Sequence, residues 1–258
     1  MVNTQLFDLT GKVALLTGAS KGMGRAMAEA LAEHGANVVL SSRKQDACDA
    51  AAAEINALCG EERAVGVACN AGYRDQLENL VAQTHDRFGL IDVLVSNAGV
   101  NPFYGPMSEI PDEAFDKIMS TNVKAAHWVC QMAARDMVEK GGGSIIVMSS
   151  AGAFKPSEVL GAYSISKLAD IGLVRNLALE YGPSGVRANA ICPSVIKTDF
   201  AQALWDNPEA AQRERELPLR RFGEADDLKG IAVYLASDAS AYMTGQALTF
   251  CGGANMWS

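Results

Sequence analysis

Short runs of β-branched and apolar residues alternate with longer runs of helical spacing along the whole 258-residue chain. Strands that are joined by crossover helices must pair in parallel, and a parallel sheet is covered by helices on both faces. We therefore predict an α/β fold built on one doubly wound, seven-stranded parallel sheet with helices on both faces. The predicted strands run from Val13 to Thr17, Asn37 to Ser41, Ala64 to Ala68, Val93 to Ser96, Ser144 to Ser149, Val186 to Ile191 and Ala247 to Phe250.

Helical spacing fills the segments between these strands. The clearest helical runs are rich in Ala, and several end in Gly, which commonly terminates a helix. No Pro-, Gly- or Ser-rich linker and no internal repeat divides the chain, so we predict a single domain over residues 1–258. The predicted helices run from Met23 to His34, Asp46 to Leu58, Asp75 to Phe88, Asp112 to Lys140 and Tyr163 to Tyr181.

One segment, from Thr198 to Phe222, departs from this alternation. It combines Trp205, Pro208 and Pro218 with a dense run of Arg and Glu residues between Glu209 and Glu216. Such a mixture continues neither the strand pattern nor the pattern of a buried helix. We predict a mobile segment over the substrate, and we call residues 198–222 the flap.

Charge and cysteine content argue against several functions. A net charge of −8 disfavours nucleic-acid binding, which depends on clustered Lys and Arg. The six cysteines have no CxxC spacing and no His at zinc-ligand spacing, which disfavours a metal site. The N-terminus lacks a secretory signal pattern, and no apolar stretch reaches the roughly 18 residues of a membrane span. We therefore expect a cytoplasmic protein.

A glycine-rich string, TGASKGMG, follows the first predicted strand and leads into the first predicted helix. Gly18, Gly22 and Gly24 let the backbone turn tightly and approach a pyrophosphate, whose negative charge the helix N-terminus favours. Ordinary strand-to-helix turns also contain glycines, but a strand before the string and a helix after it are the setting of a Rossmann dinucleotide site. The string therefore predicts a dinucleotide cofactor.

Charges near this loop bear on which dinucleotide binds. An acidic residue after the second strand would bond the adenosine ribose diol and repel a 2′-phosphate. Ser42 occupies that place and is followed by Arg43 and Lys44, while Lys21 lies inside the glycine loop. Because guanidinium and ammonium groups pair with phosphate, we predict NADP(H) in preference to NAD(H). A solvated basic turn is the alternative for Arg43 and Lys44.

Tyr163 and Lys167 are the first candidate catalytic residues. They are four residues apart in a helical run, so their side chains share one helix face. A phenol has a pKa of about 10, and a neighbouring ammonium lowers that pKa by favouring the phenolate. Tyr163 can then exchange a proton with a substrate oxygen as hydride is transferred.

Ser149 and Ser150 come at the end of the fifth predicted strand, at the sheet edge where ligands bind in open α/β folds. Adjacent strand residues point to opposite faces, so one of the two should reach the site and hold the substrate oxygen. Asn122 is a further candidate, because Asn is unfavourable inside a long helical run. A surface position is the alternative for Asn122.

Together these motifs resemble the short-chain dehydrogenase/reductase family along the whole chain. The resemblance selects Ser150, thirteen residues before the tyrosine, as the catalytic serine. It also implies that Asn122 holds a water which connects Lys167 to solvent in a proton relay. The motifs that carry it are GxxxGxG in the glycine loop, SNAG at Ser96 to Gly99, Asn122, Ser150, YSISK at Tyr163 to Lys167 and PSVIKT at Pro193 to Thr198.

The resemblance further implies a homotetramer, with the helices around Asn122 and Lys167 at one interface and residues 252–258 near another. The chain departs from the commonest family pattern at three positions, where Ser96, Asn70 and Ser194 stand for Asn, Asp and Gly. The cofactor contacts that it implies, together with those argued above, are Gly18, Ser20, Lys21, Gly22, Met23, Gly24, Ser42, Arg43, Lys44, Asn70, Ala71, Asn97, Ala98, Gly99, Tyr163, Lys167, Pro193, Ser194, Ile196 and Thr198.

A closer similarity points to the branch of the family that contains NADPH-dependent carbonyl and retinol reductases. It rests on SSRKQ, SNAGVNPF and the stretch from IKTDF to LW. It implies an enzyme that interconverts a small apolar ketone or aldehyde and the corresponding alcohol. The alternatives are a 3-oxoacyl-thioester or sugar reductase and a non-catalytic NADP(H)-binding sensor. The predicted substrate pocket consists of Phe103, Tyr104, Phe154, Leu160 and Trp205.

Overall fold

A seven-stranded sheet forms the centre of the computed structural model, which describes residues 4–256. The strand order is β3-β2-β1-β4-β5-β6-β7, and every neighbouring pair is parallel. The predicted single-domain, doubly wound sheet is therefore confirmed. The strands are β1 Val13–Thr17, β2 Asn37–Ser42, β3 Ala64–Ala68, β4 Val93–Ser96, β5 Gly143–Met148, β6 Val186–Pro193 and β7 Ala247–Phe250.

The central strands are apolar throughout because both of their faces are covered. Leu15 and Leu16 of β1 are both fully buried, yet they belong to two different core clusters on opposite faces of the sheet. The same alternation separates Leu94 from Val95 in β4. A strand that is buried on both faces loses the polar alternation of a surface strand, which explains the continuous apolar runs in the sequence.

Helices cover both faces of the sheet. The first core cluster packs the sheet against α1, α2 and α9, and the second packs it against α3, α5 and α6. None of the helices described between residues 4 and 256 is long and apolar enough to cross a membrane. The helices are α1 Gly22–Glu33, α2 Gln45–Cys59, α3 Arg74–Phe88, α4 Asp112–Ile118, α5 Ala125–Lys140, α6 Gly161–Tyr181, α7 Gln202–Trp205, α8 Ala210–Glu216 and α9 Lys229–Ala236.

Among the differences from the predicted element bounds, two concern candidate catalytic residues. The predicted helix from Asp112 to Lys140 is divided by a π-helical turn, Met119–Lys124, which contains Asn122. A π-helical turn inserts one extra residue locally and often marks a functional site. The fifth strand ends at Met148 instead of Ser149, because the chain turns there into a short 3₁₀ turn, Ala151–Ala153.

Candidate active site

The glycine loop between β1 and α1 forms a tight cradle. Gly18 and Gly22 have φ values of +64° and +59°, which side chains rarely tolerate. A Cβ on Gly24 would lie 2.5 Å from the carbonyl oxygen of Gly18, and one on Gly18 would lie 2.9 Å from Cα of Ala98. No side chain caps the start of α1 at Gly22, so its first N–H groups are available to an anion. These residues fit the pyrophosphate of a dinucleotide.

The loop after β4 is bound to this cradle. The Asn97 side chain donates to the carbonyl oxygens of Thr17 and Gly18, at 3.1 and 2.7 Å. In return, the Thr17 hydroxyl oxygen accepts from the backbone N–H groups of Asn97 and Ala98, both at 3.1 Å. The predicted contacts Asn97 and Ala98 therefore lie next to the glycine loop, whereas Gly99 lies near Asn122 and Lys167. Ser96 is buried at the end of β4.

Arg43 and Lys44 are exposed directly after β2, where an adenosine 2′-phosphate would be expected. Ser42, the last residue of β2, is partly buried, and its N–H donates to the thiol of Cys48 at 3.1 Å. Lys21 is also exposed, but its ammonium pairs with Asp199 of the flap at 2.6 Å. The three predicted cations thus lie around the loop, and one of them already has a carboxylate partner.

The remaining predicted cofactor residues have more varied settings. Asn70, after β3, accepts the N–H of Gly72 on its side-chain oxygen at 3.2 Å, so that oxygen is partly used within its own turn. Pro193 and Ile196 are buried. Gly24 is also buried. The other predicted contacts are partly buried: Ser20, Met23, Ala71, Ser194 and Thr198. Met23 packs against the first core cluster.

Tyr163 and Lys167 lie on one face of α6, with the Lys167 ammonium 5.7 Å from the centre of the Tyr163 ring. Lys167 is buried and donates to the carbonyl oxygen of Met148 at 2.8 Å and to Asp170 at 3.0 Å. Burial raises the pKa of the Tyr163 hydroxyl above its ordinary value, while Lys167 and a hydrogen bond with Ser150 act to lower it. Tyr163 is therefore a partly buried phenol next to a cation.

Ser150 and Ser149 have different partners, as the alternation of a strand predicts. The Ser149 hydroxyl is buried and donates to the carbonyl oxygen of Lys167 at 2.7 Å. Ser150 faces Tyr163, and its hydroxyl oxygen also accepts the N–H of Gly152 at 3.0 Å. Ser150 thus both caps the following turn and shares the site with the tyrosine.

Asn122 connects the loop after β4 to α6. Its side-chain oxygen accepts the N–H of Val100 at 2.8 Å, and its amide donates to the carbonyl oxygen of Val100 and to the Ser166 hydroxyl, both at 3.0 Å. Only 1% of Asn122 is exposed, which excludes the surface alternative. Both amide protons have protein acceptors, so the side chain acts here as a clamp between two segments of the site.

The predicted substrate residues divide into two groups. Phe103 and Leu160 line a narrow depression that also includes Tyr163, and the Asn101 side-chain oxygen there is buried without a partner in the part of the chain described. The other three residues do not line this depression: Tyr104 is exposed, Phe154 packs against the second core cluster, and Trp205 donates to the carbonyl oxygen of Thr198 within the flap.

Sequence reasoning missed two residues that contact this centre. Phe200 of the flap packs its ring 6.3 Å from that of Tyr163, at an interplanar angle of 44°. Asp170 is fully buried against Lys167. A carboxylate three residues after Lys167 in the same helical run was a signal that could have identified Asp170, because residues three apart are neighbours on a helix.

A larger cavity of about 600 Å³ lies at the base of the flap, away from Tyr163. Its walls come from the loop after β6, the end of the flap and the C-terminal residues, including Ser194, Leu219 and Asn255. Residues 257 and 258, which belong to the predicted tetramer tail, lie outside the described residues. Between residues 4 and 256, no cluster of three His, Cys, Asp or Glu side chains has the arrangement of a metal site.

Comparisons with known proteins agree with this geometry. A family model described as enoyl-(acyl carrier protein) reductase matches residues 18–255. Dehydrogenase/reductase SDR family member 4 of Oryctolagus cuniculus is 41% identical over 255 residues, covering 97% of this chain and 96% of its own.

Two solved structures are also similar. A short-chain type dehydrogenase/reductase from Mycobacterium marinum has a TM-score of 0.91 and 38% identity, covering 98% of this chain and 99% of its own. A gluconate 5-dehydrogenase from Burkholderia cenocepacia, solved with NADP and tartrate, has a TM-score of 0.93 and 28% identity, with the same coverage.

The sheet, the glycine cradle and these relatives define an oxidoreductase of the dinucleotide-binding α/β class. Within that class, the chain belongs to the short-chain dehydrogenase/reductase family, which uses NAD(P)(H). The resemblance predicted from its motifs is thereby confirmed at the level of the family.

Proposed function

We propose that the chain is an NADP(H)-dependent oxidoreductase that interconverts a ketone or aldehyde and the corresponding alcohol. One observation carries the proposal: the Lys167 ammonium lies 5.7 Å from the centre of the Tyr163 ring, and the Tyr163 hydroxyl is hydrogen-bonded to Ser150. The loop after β4, which is bound to the glycine cradle, comes close to the same lysine at Gly99. The carboxyl edge of a parallel sheet is where ligands bind in open α/β folds.

The proposed mechanism assigns each side chain one task. Bound NADP(H) supplies or takes up the hydride at the substrate carbon. In reduction, the Tyr163 hydroxyl donates its proton to the carbonyl oxygen, and in oxidation the phenolate removes the alcohol proton. Ser150 holds the same oxygen by a hydrogen bond, and the positive charge of Lys167 favours the phenolate form of Tyr163.

Asn122 and the glycine cradle have supporting tasks in this proposal. Asn122 fixes the loop at Val100 against α6, and a Cβ on Gly99 in that loop would lie 3.8 Å from the Lys167 ammonium. The loop thus lies close to the lysine. The cradle would hold the pyrophosphate of the cofactor.

The choice of NADP(H) rests on charge. Ser42 ends β2 in place of an acidic residue, Arg43 and Lys44 follow it directly, and Lys21 adds a third basic group from the glycine loop. Basic groups pair with a 2′-phosphate, whereas NAD(H) would leave them without a partner from the cofactor. The gluconate 5-dehydrogenase solved with NADP agrees with this choice.

An apolar substrate is proposed because the depression beside Tyr163 is lined mainly by apolar residues, including Phe103, Leu160 and Val159. Phe200 adds a ring from the flap. Residues 198–222 are proposed to act as a substrate flap. The homotetramer and the cytoplasmic location stay predictions from the sequence.

The chemistry is tested with a panel of apolar ketones, aldehydes and alcohols, followed by NADPH absorbance. Tyr163→Phe removes the proton donor but keeps the ring, so we expect turnover to fall by about 10²-fold or more while NADPH still binds. Undiminished turnover in Tyr163→Phe would refute the tyrosine mechanism. If no panel member is turned over by the unmodified protein, the non-catalytic cofactor-binding sensor is favoured instead.

The cofactor preference is tested separately by comparing kcat/KM with NADPH and NADH. Arg43→Asp places a carboxylate where the ribose diol of NAD(H) would bind, so we expect the preference to move towards NADH. Arg63→Asp is a control, since Arg63 lies before β3 and pairs with Glu61 away from the loop. Equal or better efficiency of the unmodified enzyme with NADH contradicts the preference for NADP(H).

A further inference from the structure

Asp170 is a buried carboxylate within one helical turn of the catalytic lysine. None of its surface is exposed, and its Oδ2 accepts a hydrogen bond from the Lys167 ammonium at 3.0 Å. Its other oxygen, Oδ1, is buried and has no hydrogen-bond partner among the described residues. A buried carboxylate with a free oxygen is costly for the folded state.

Two other buried carboxylates show what a purely structural Asp does in this fold. Asp92 accepts the backbone N–H of Val13 at 2.8 Å, and Asp136 accepts that of Ile91 at 3.1 Å. Each therefore ties its own segment to a distant one. Asp170 accepts no backbone N–H and ties no two segments together: within residues 4–256, the Lys167 ammonium is its one hydrogen-bond donor.

The charges around this pair are few. On α6 itself, Tyr163 and Lys167 face Asp170. The titratable groups that neighbouring elements bring close are the thiols of Cys130 on α5 and Cys192 on β6, which are buried. Burial raises the pKa of the Cys130 thiol and that of the Cys192 thiol, the latter to about 11, so both are neutral at physiological pH. Asp170 therefore governs the net charge next to Lys167.

We propose that Asp170 is a positioning residue for the catalytic proton: its carboxylate balances the charge of Lys167 and keeps the Tyr163 hydroxyl protonated. The site is thereby set to donate a proton to a carbonyl rather than to remove one from an alcohol. This inference rests on the proposed function of Tyr163.

Electrostatics gives the direction of the effect. With Asp170 ionised, forming the Tyr163 phenolate leaves two anions and one cation in a buried site, whereas without Asp170 it leaves a neutral pair. Asp170 accordingly raises the pKa of the Tyr163 hydroxyl, in the same direction as burial and against Lys167. Burial works to lower the pKa of Lys167, but Asp170, Tyr163 and Cys192 together raise it above its ordinary value, so Lys167 stays a cation.

The experiment compares Asp170→Asn and Asp170→Leu with the unmodified enzyme. Asn keeps a hydrogen-bond acceptor for Lys167 and Leu does not, so an effect common to both comes from the lost charge. The kcat/KM for alcohol oxidation rises as Tyr163 loses its proton, and that for carbonyl reduction falls over the same range. We expect the rise of the oxidation profile and the fall of the reduction profile to move to lower pH by about one pH unit in each variant.

A second measurement does not depend on turnover. Tyrosinate absorbance is titrated in the protein without cofactor, and the same titration in the corresponding Tyr163→Phe protein is subtracted. The difference isolates Tyr163, whose midpoint should fall in both Asp170 variants. Asp136→Asn is the matched control, because it removes another buried carboxylate, one that pairs with His85 on the far side of α5, and should leave the midpoint unmoved.

The outcomes separate this inference from the proposed function. Suppose that Tyr163→Phe abolishes turnover, but that neither Asp170 variant moves the pH profiles of kcat/KM or the titration midpoint of Tyr163 to lower pH. Asp170 is then structural and the inference is wrong. A shift to higher pH overturns it too, since it would mean that Lys167 had lost its charge. If Tyr163→Phe keeps full turnover, the proposed function fails whatever the Asp170 variants do.

Discussion

Helix α6 and the flap both contact Tyr163, yet they are built in opposite ways. α6 carries Tyr163 itself and buries Lys167 and Asp170, with side-chain exposures of 6% and 0%. The flap brings Phe200 against the same ring from the surface, and it is tied to the glycine loop by Lys21 and Asp199, whose side chains are 73% and 74% exposed. In the proposed function, the proton-transfer residues thus lie on the packed face of a helix, and the proposed substrate cover is a solvated segment.

The difference between the two regions also determines how substitutions in them affect stability. Removing one partner of a buried ion pair leaves an uncompensated charge in the interior, whereas an exposed pair is compensated by water. Changes in α6 should therefore alter stability and chemistry together. Changes in the flap should alter binding while the fold stays intact.

The largest expected effect comes from Lys167→Met. It leaves the Asp170 carboxylate buried without its cation, so we expect the free energy of unfolding in urea to fall by about 3–5 kcal/mol, together with loss of turnover. Adding Asp170→Leu should restore much of the stability but not the turnover. Lys197→Met is the control at the edge of the flap: Lys197 pairs with Glu214 of the flap at 2.9 Å, and these side chains are 35% and 27% exposed, so we expect a loss of about 1 kcal/mol or less. If Lys167→Met and Lys197→Met lowered the free energy of unfolding equally, the contrast between the buried ion pair of α6 and the more exposed pair at the flap would be wrong.

A smaller effect is expected from Phe200→Ala. The ring touches Tyr163 from the flap and is 54% exposed, so its removal should lower kcat/KM by about two- to tenfold through KM. The unfolding midpoint should not move. Leu219→Ala, at the other end of the flap in the wall of the separate cavity, serves as the control. A loss that appears in kcat or in stability would mean that the flap supports the catalytic helix.

The smallest effect is expected from Asp199→Asn. A hydrogen bond from Lys21 holds the pKa of Asp199 below its ordinary value, so the pair is formed at neutral pH. Without it, Lys21 is free for the 2′-phosphate, and the Kd for NADPH should fall by about twofold in low salt, with the Kd for NADH unchanged. Asp206→Asn, whose carboxylate accepts from Gln202, is the control. A matching change for NADH would place Lys21 away from the 2′-phosphate.

The sheet and the core of the site could be predicted from sequence because they depend on local patterns. Strands buried on both faces are continuous apolar runs, as at Leu15 and Leu16. The glycine loop lies between its strand and its helix, and Tyr163 and Lys167 share a helix face because they are four residues apart. In each case the spacing along the chain fixes the spacing in space.

Other features depended on tertiary packing that no local pattern records. Phe200 reaches Tyr163 because the flap folds back over the sheet edge, while Tyr104 and Phe154, which are equally aromatic, lie elsewhere. The π-helical turn at Asn122 follows from its hydrogen bonds to Val100 and Ser166, which are 22 and 44 residues away in the chain.

The sparse packing of the flap has a practical consequence for changing the substrate range. Within residues 198–222, all of which the structure describes, only Ala210 and Phe222 are buried. Random libraries over the exposed positions should therefore keep most members folded, and selection could act on turnover alone. Arg220, with φ of +57°, is the position to restrict to Gly, Asn or Asp. The surface segment is in this sense the evolvable part of the enzyme.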